Sequence, residues 1–364
     1  MIFIPTSICE IERKLNEIDP IKYASTRNYK DGQVTYLGPY ISRGVLSTQK
    51  VFRQCCNSGL PFSKMEKLIQ ELVWRDYWQR IWSNKKEAIN QFIKQVQAPI
   101  SNHLIPKNIK KARTGIIAVD KEIEALRNTG YMHNHMRMYV SSIACNIAHS
   151  HWLNPAKWMY SQLLDGDWGS NGLSWQWVAG SNSNKKYYAN QDNINTFFFS
   201  QQKDTFLDFP YEKLPNLEVP KILKELENFN LKTPLPKSDN IKINEHKRTL
   251  IYNYYNLDPH WHKNEDANRI LLLEPSVFEE YPVNSNCINF ILLLKKNIPN
   301  IKVFVGEFFE LKVLCSSSEI VFKEHPLNKY MGSEEPREWL FSAPKKIESF
   351  FKFWKYGKKQ IQFD

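Results

Sequence analysis

The stretch LLDGDWGSNGLSWQWVAG, residues 163–180, constrains the fold of this chain more than any other part of the sequence. It combines bulky indole rings with carboxylates and an amide. A hydrophobic core needs the indoles and not the carboxylates, whereas a metal site needs the carboxylates and not the indoles. Any fold must account for both groups together, and they are Trp168, Trp175 and Trp177 beside Asp165, Asp167 and Asn171.

Two glycines in this stretch affect its backbone. Gly166 and Gly169 predict that the aspartates lie in a turn rather than in a regular helix. From a turn, Asp165 and Asp167 can accept hydrogen bonds from ribose hydroxyls, an adenine amine or a flavin ring N–H. Helix capping is the structural alternative, and it suits one aspartate better than two followed by Asn171. By itself the stretch indicates a nucleotide-like ligand or a capped turn.

The length and charge of the chain limit its class. With 364 residues, 42 % of them hydrophobic, it is long enough for two domains or one large one and can bury a sizeable core. The formal net charge of +11 suits a polyanion partner, because each neutralised phosphate releases counterions and adds affinity. A Lys- and Asn-rich composition from a biased genome is the alternative explanation.

Targeting signals and cysteines indicate the compartment. The start MIFIPTSICEIERK has no basic n-region, so we expect no secretory signal. No segment reaches the roughly 20 apolar residues that cross a bilayer, so we expect no membrane span. The six cysteines form neither CxxC pairs nor a dense secreted framework. We therefore expect reduced thiols in a cytoplasmic protein.

Residues 9 to about 210 have the texture of a mostly helical region. Residues 65–82 place apolar side chains at helical spacing between aromatics, and residues 114–152 predict two helices divided at Gly130. Near residue 210 the chain becomes rich in proline and charge, which indicates a connector.

The last third of the chain has a different pattern. Short β-like runs occupy residues 269–275, 301–307 and 319–325, and an apolar segment at 287–297 predicts a buried helix. Strand, helix and strand in that order predict a small parallel α/β unit.

Two further segments carry polar and aromatic residues on one helical face. In ELVWRDYWQRIW, Glu71, Trp74 and Arg75 lie within one turn, where an aromatic can stack on a base while arginine holds a phosphate. A plain amphipathic helix with a buried tryptophan is the alternative for this segment.

The segment GYMHNHMRM places Asn134, Arg137 and Met138 at spacings i, i+3 and i+4. Its histidines, His133 and His135, diverge on a helix and lack a third ligand, so we expect no metal site.

These segments together resemble the flavin-binding helical domain of the DNA photolyase and cryptochrome family, from about Tyr23 to Asp208. WRDYW, TGYMHNHMRM and SQLLDGDWGSNGLSWQW resemble three family motifs in order, and GPYISRGVLS resembles a turn that precedes a helix in that family. The resemblance implies a mainly α protein, with an all-helical FAD-binding domain followed by a smaller α/β region. We expect the helical domain at residues 1–209, a connector at 210–264 and a small α/β domain of unknown role at 265–364.

The resemblance also implies the cofactor contacts. Asp165 and Asp167 would bind the flavin or adenosine part of FAD. Asn171 would face the reactive edge of the isoalloxazine, and Arg137 would lie against the ring system. Other residues would lie near the diphosphate or beside the ring. These remaining cofactor contacts are Tyr23, Thr35, Tyr36, Leu37, Gly38, Arg75 and Asn134.

A substrate is implied as well. In the repair enzymes of the family, light drives an electron from reduced flavin into a pyrimidine dimer flipped out of DNA. Glu71 would bond a thymine edge, and Trp74 and Trp177 would form an aromatic wall. Asn134 and Met138 point to cyclobutane dimers, because (6-4) photolyases carry histidines at these positions. Phosphates would meet Arg27 and other basic residues. UV-damaged DNA is thus the expected partner, with no membrane and no obligate protein partner.

Three departures from the family pattern are visible. The resemblance begins near residue 23, so we expect no N-terminal antenna domain of the usual kind, and any second chromophore is unknown. The C-terminal region is either a rearranged antenna module or an unrelated cap. Trp175 and Trp152 match the proximal and middle members of the family's tryptophan relay, but Pro99 stands where the distal one is expected. The loop VTYLG, at residues 34–38, lacks a hydroxyl and a guanidinium that the family commonly has, so we expect weaker FAD binding.

Three functions compete on this basis. The first is a light-driven photolyase for cyclobutane pyrimidine dimers, with Glu71, Asn171, Trp175 and Trp152 in catalytic and electron-transfer roles. The second is a cryptochrome-like blue-light sensor that binds FAD without repairing DNA. The third is a flavin-free DNA-binding or scaffold protein.

Overall fold

The computed structural model of the chain describes residues 4–315 and 317–361. In chain order its α-helices are α1 (Ile8–Asn16), α2 (Pro20–Thr26), α3 (Gly38–Ser42), α4 (Thr48–Cys56), α5 (Phe62–Lys85), α6 (Lys107–Lys110), α7 (Ile117–Thr129), α8 (Asn134–Ser142), α9 (Leu153–Tyr160), α10 (Trp168–Val178), α11 (Gln191–Phe198), α12 (Pro275–Glu280), α13 (Ser285–Leu294), α14 (Phe308–Leu314) and α15 (Phe350–Lys358). The strands are β1 (Ile105–Pro106), β2 (Leu226–Glu227), β3 (Thr249–Tyr252), β4 (Asn268–Leu273), β5 (Lys302–Val305), β6 (Ile320–Lys323) and β7 (Ser333–Glu335). This confirms the predicted mainly α fold with a smaller α/β region.

The long helix α5 confirms the helix predicted over residues 65–82 and extends it at both ends. Its buried residues include Leu68, Ile69, Leu72 and Val73, which recur at three- and four-residue spacing and line one face. Lys86 ends the helix with a positive φ of 48°.

The break predicted at Gly130 is confirmed between α7 and α8. Gly130 has a φ of +70°, and a Cβ there would lie 2.5 Å from Cγ of Leu164. The backbone N–H of Leu164 donates to the Gly130 carbonyl at 2.9 Å. Glycine is therefore required for its left-handed φ and for close approach, and the start of α8 is fixed beside the loop that contains Asp165.

The helix α10 begins inside the stretch at residues 163–180. Asp167 is its N-cap residue, and Asp165 and Gly166 precede the helix, as predicted for a turn. Gly169 itself lies in the first helical turn. An N-cap stabilises a helix by roughly 1 kcal/mol, which is about the amount by which a glycine inside a helix destabilises it. Burial of Trp168 and Trp175 favours the helix further.

The C-terminal third forms a parallel sheet with strand order β5-β4-β3-β6-β7. The three predicted strands are β4, β5 and β6, and the predicted buried helix is α13. The order is doubly wound, with its switch point between β3 and β6. β3 lies inside the range predicted as a connector, because its apolar run is only three residues long and gives a weak sequence signal.

The chain divides into two compact units that do not follow its order. The sheet unit comprises residues 1–24, 35–86 and 232–364, and the helical unit comprises residues 25–34 and 87–231. The sheet unit contains α1, α3 to α5, the five-stranded sheet and α12 to α15. The helical unit contains α6 to α11 and the short β1–β2 ladder. This division differs from the predicted one because early helices cluster with the C-terminal third.

Among the described residues, every helix is too short or too polar to span a bilayer.

Candidate functional site

A largely buried ion pair joins two of the sequence motifs in the helical unit. Arg137, on α8, places Nη2 3.0 Å from each carboxylate oxygen of Asp165, and each side chain is only 13 % exposed. Nε of Arg137 also donates to the carbonyl of Met132 at 2.8 Å. Removing Asp165 would leave the largely buried charge of Arg137 without this carboxylate, and breaking a buried pair typically costs about 3 to 5 kcal/mol. The structure therefore brings together two residues predicted to contact the flavin.

Asp167 and Asn171 hold each other at the start of α10. Oδ1 of Asp167 accepts the N–H of Ser170 at 2.7 Å, and the N–H of Asp167 donates to Oδ1 of Asn171 at 2.9 Å. Helix capping, the alternative raised from the sequence, thus occurs at Asp167. A carboxylate has two oxygens and about four lone-pair sites, so capping and ligand binding are compatible.

Ser170 gives the fit test for a polar cofactor. Its Oγ is buried and has no hydrogen-bond partner among the described residues. A buried hydroxyl without a partner costs free energy, so this position suits a polar group of a ligand. Carboxylates at 165 and 167 match the N–H and O–H donors of FAD, and Arg137 supplies a fixed positive charge. The residues present therefore fit FAD.

The predicted substrate-side residues of the helical unit are accessible. Asn134 is exposed and Met138 is half-buried, four residues apart on α8, and Arg27 is half-buried. Trp177, near the end of α10, is 39 % exposed. α10 packs against α8, so these two helices are neighbours.

Sequence reasoning missed an aromatic cluster beside Trp177. The ring of Trp177 lies 6.0 Å from Tyr187, and Tyr187 is nearly parallel to Tyr139 at 6.5 Å. The adjacent tyrosines at 187 and 188 could have indicated this cluster, but they lie outside the stretch at residues 163–180.

The two relay tryptophans are both buried in the helical unit. Trp152 is fully buried, and Trp175 is 2 % exposed. The nearest described ring stacked on Trp152 from another helix is Trp168, with centroids 6.1 Å apart and planes 25° apart. Trp168 also meets Tyr160 edge-on at 5.6 Å. Trp168, for which the sequence indicated only packing, is therefore an aromatic neighbour of Trp152.

Flavin photoreduction tests the relay prediction. Because Pro99 replaces the distal tryptophan and a proline ring carries no electron hole, we expect slow photoreduction in the purified protein. Trp152→Phe should slow it further, at least several-fold. Trp82→Phe, a buried tryptophan of the sheet unit, is the matched control and should leave the rate unchanged. Flavin absorbance under steady illumination measures the rate of reduction. Rapid, complete reduction that Trp152→Phe does not alter would contradict the relay assignment.

The predicted residues of the sheet unit lie on α5 and on the loop before α3. Nη1 of Arg75 donates to Oγ of Ser42 at 2.7 Å, and Glu71 is exposed. Trp74 is half-buried, and its ring is stacked on Phe350 with centroids 3.5 Å apart and planes 5° apart. Phe350, on α15, was not identified from the sequence.

The loop at residues 34–38 is tightly folded. Oγ1 of Thr35 accepts the N–H of Leu37 at 3.3 Å, and Leu37 is fully buried. Tyr36 has a φ of 53°, which is uncommon for a residue other than glycine. Gly38 begins α3, and Tyr23 is half-buried on α2. The Thr35 hydroxyl accepts this bond and keeps its O–H as a donor, so the weaker phosphate binding stays a prediction.

One histidine of the HNH segment caps a helix. Nδ1 of His133 caps α8 by accepting the N–H of His135 at 3.2 Å. Burial, reinforced by the charges of His135 and Arg137, lowers the pKa of His133 to about 4. Among the described residues, no three His, Cys, Asp or Glu side chains gather in a way that would hold a metal ion.

A pH dependence of stability follows from His133. Its pKa is about 4 when folded and 6.5 ordinarily, so the unfolded state binds the proton more tightly. The contribution of His133 to the free energy of unfolding is fully present above about pH 6.5. It is lost as the pH falls toward 4, by up to about 3 kcal/mol. Asparagine is a good N-cap residue and does not titrate, so His133→Asn should reduce the loss of stability at low pH. The part of that loss that comes from His151, whose pKa is also about 4, should remain. Urea unfolding at pH 7 and 4.5 measures this, and an unchanged pH dependence in the variant would refute it.

A small cavity lies at the carboxyl ends of β3, β4 and β6 in the sheet unit. It encloses about 20 Å³ and is lined by groups that include Asn253, Glu274, His325 and Tyr330. The Tyr330 hydroxyl donates to Glu274 at 2.8 Å, and burial raises the pKa of Glu274. A space of this size holds about one water molecule.

The chain matches a known family over residues 68–252, just over half of its length, and the matching family is described as the FAD binding domain of DNA photolyase. A deoxyribodipyrimidine photo-lyase of Buchnera aphidicola is 26 % identical over 252 residues, which cover 65 % of this chain and 50 % of that protein. A Vibrio cholerae protein of the same name is 29 % identical over 164 residues, covering 42 % of this chain and 34 % of that protein. The chain thus spans half or less of the length of these relatives. A solved Synechocystis cryptochrome is 22 % identical, covering 52 % of this chain and 42 % of that one, with a TM-score of 0.44.

Proposed function

Because the chain belongs to the DNA photolyase family through its FAD-binding domain, we propose that it is a light-driven enzyme that splits cyclobutane pyrimidine dimers in DNA. The observation that carries the proposal is the buried Arg137–Asp165 pair beside the Asp167–Asn171 cap, inside the matched region. This cluster offers carboxylates, an amide and a fixed cation to one polar ligand.

FAD, when bound, supplies light absorption and one-electron chemistry, while the protein supplies orientation and electrostatics. In the proposal, Asp165 and Asp167 accept hydrogen bonds from the cofactor, and Arg137 fixes the carboxylate of Asp165. Asn171 is held by its bond from the Asp167 N–H, so its amide points in one direction. Asp167 and Asn171 are buried and the Arg137–Asp165 pair is largely buried, which limits the access of water and strengthens these interactions.

On the substrate side, the resemblance assigns base contacts to Trp177 of the helical unit and to Trp74 of the sheet unit. Base–aromatic stacking contributes about 1 to 3 kcal/mol per base and tolerates any sequence. A damaged base also costs less to unstack than an intact pair, which gives selectivity. Glu71 bonds the thymine edge, Asn134 and Met138 contact the dimer from α8, and Arg27 meets a phosphate.

Two experiments separate this function from its alternatives. A visible flavin absorption band in the purified protein excludes a flavin-free scaffold, and its complete absence would overturn the proposal. A cryptochrome-like sensor binds FAD but leaves dimers intact, so light-dependent repair of a dimer-containing oligonucleotide distinguishes the enzyme from the sensor.

A further inference from the structure

The C-terminal helix α15 lies against the helix that carries the proposed substrate residues of the sheet unit. Phe350, its first residue, is 4 % exposed and stacks on Trp74 at 3.5 Å with planes 5° apart. Aromatic rings prefer an offset or an edge-on arrangement to a direct face-to-face stack. Surrounding contacts must therefore hold the two rings in register.

Those contacts run along α5. Four polar side chains of α5 bond the segment that leads into and through α15, three of them to its main chain. The contacts are Asp76 with the Leu340 N–H at 2.9 Å, Arg80 with the Phe341 carbonyl at 2.6 Å, Tyr77 with the Glu348 carbonyl at 2.9 Å, and Glu66 with Lys358 Nζ at 2.8 Å. The segment is thus anchored to α5 along its length, and these contacts hold its conformation without a bound partner.

The outer face of α15 is aromatic and basic. Phe351 is 72 % exposed, and its ring lies 5.6 Å from that of Phe350. Phe351, Lys355 and Lys359 recur every four residues, so they form one exposed stripe. Within residues 345–359 a single acid, Glu348, opposes the lysines. These lysines are Lys345, Lys346, Lys352, Lys355, Lys358 and Lys359.

We propose that residues 345–359 are part of the DNA-binding surface. Phe351 stacks on an unpaired base next to the one on Trp74, and Lys355 and Lys359 neutralise phosphates of the same strand. An exposed aromatic in a row with uncompensated cations is the combination that holds single-stranded nucleic acid. The stack of Trp74 on Phe350 links the two surfaces. The inference rests on the proposed function and names a contact beyond the motifs that resemble the family.

Binding of the full-length flavoprotein to a labelled oligonucleotide with one cyclobutane dimer tests this, with fluorescence anisotropy across a range of salt. Phe351→Ala should weaken binding between about 5-fold and 150-fold. Lys355→Gln with Lys359→Gln should lower the slope of log K against log salt by about 1.5.

Matched controls exist in the same unit. Phe309→Ala removes a phenylalanine that is 64 % exposed on α14, and Lys296→Gln with Lys302→Gln removes two exposed charges at or near β5, the edge strand opposite β7. Both controls should bind as the unchanged protein does.

The outcomes are distinguishable. If the protein without substitutions binds the damaged and the intact oligonucleotide with equal affinity, the proposed function and this inference are both overturned. A protein that prefers damage, with α15 variants that bind equally well, would overturn the inference alone. Equal losses in the α15 variants and their controls would also overturn it, because the effect would not belong to α15.

Discussion

Asp165→Ala should remove FAD from the purified protein and lower its free energy of unfolding by about 3 to 5 kcal/mol. The change deletes a proposed cofactor contact, and it also leaves Arg137 buried without its carboxylate partner. Flavin absorbance relative to protein absorbance measures the first effect, and urea unfolding measures the second.

Two controls separate the two effects of this substitution. Glu17→Ala removes an acid that pairs with Arg13, and because both side chains are more than 60 % exposed the loss should stay below about 1 kcal/mol. Combining Asp165→Ala with Arg137→Leu removes the orphaned charge, so it should recover much of the stability without recovering the flavin. An Asp165→Ala protein that retains FAD at the normal ratio would show that this carboxylate does not hold the cofactor.

Trp177→Ala should weaken binding to a dimer-containing oligonucleotide by about 1 to 3 kcal/mol and leave the flavin in place. Trp177 is 39 % exposed near the end of α10, so its loss leaves little cavity behind. Anisotropy with damaged and intact oligonucleotides measures the affinity, and the visible spectrum measures the flavin.

Phe199→Ala is the matched control for Trp177. Phe199 is 61 % exposed in the same unit but lies outside the matched motifs, so its removal should not change the affinity for damaged DNA. If Trp177→Ala and Asp165→Ala both changed only FAD retention, the proposed division between a substrate-side and a cofactor-side residue would be wrong.

Local pattern was enough to predict much of the fold. Helical spacing predicted α5, and Gly130 predicted the break between α7 and α8, because both features depend on neighbouring residues. The runs at 269–275, 301–307 and 319–325 predicted three strands of a parallel sheet, since buried strands need continuous apolar stretches. β3 was not predicted, because three apolar residues between polar ones are too few to distinguish a strand from a turn.

The candidate site was only partly predictable. The resemblance pointed to Arg137 and Asp165 separately, but their pairing across 28 positions depends on the packing of Gly130 against Leu164. The stack of Trp74 on Phe350 joins residues that are far apart in the chain, and no spacing rule connects them. Side-chain contacts between distant segments are set by the tertiary fold, so sequence periodicity does not reveal them.

Asp167 shows a different limit. The sequence left a choice between capping and ligand binding, and the structure shows that capping uses one carboxylate oxygen. The choice was therefore not exclusive, because a carboxylate has two oxygens and can serve the helix and a ligand at once.

The central claim is tested most directly by repair in light. The full-length flavoprotein, with its flavin reduced, is incubated with an oligonucleotide that contains one cyclobutane thymine dimer, under blue light and in the dark. We predict that light restores the intact thymines, that the dark sample keeps the dimer, and that Trp177→Ala slows restoration at low oligonucleotide concentration. A flavin-containing protein that binds the oligonucleotide and leaves the dimer intact under light would contradict the assignment as a repair enzyme.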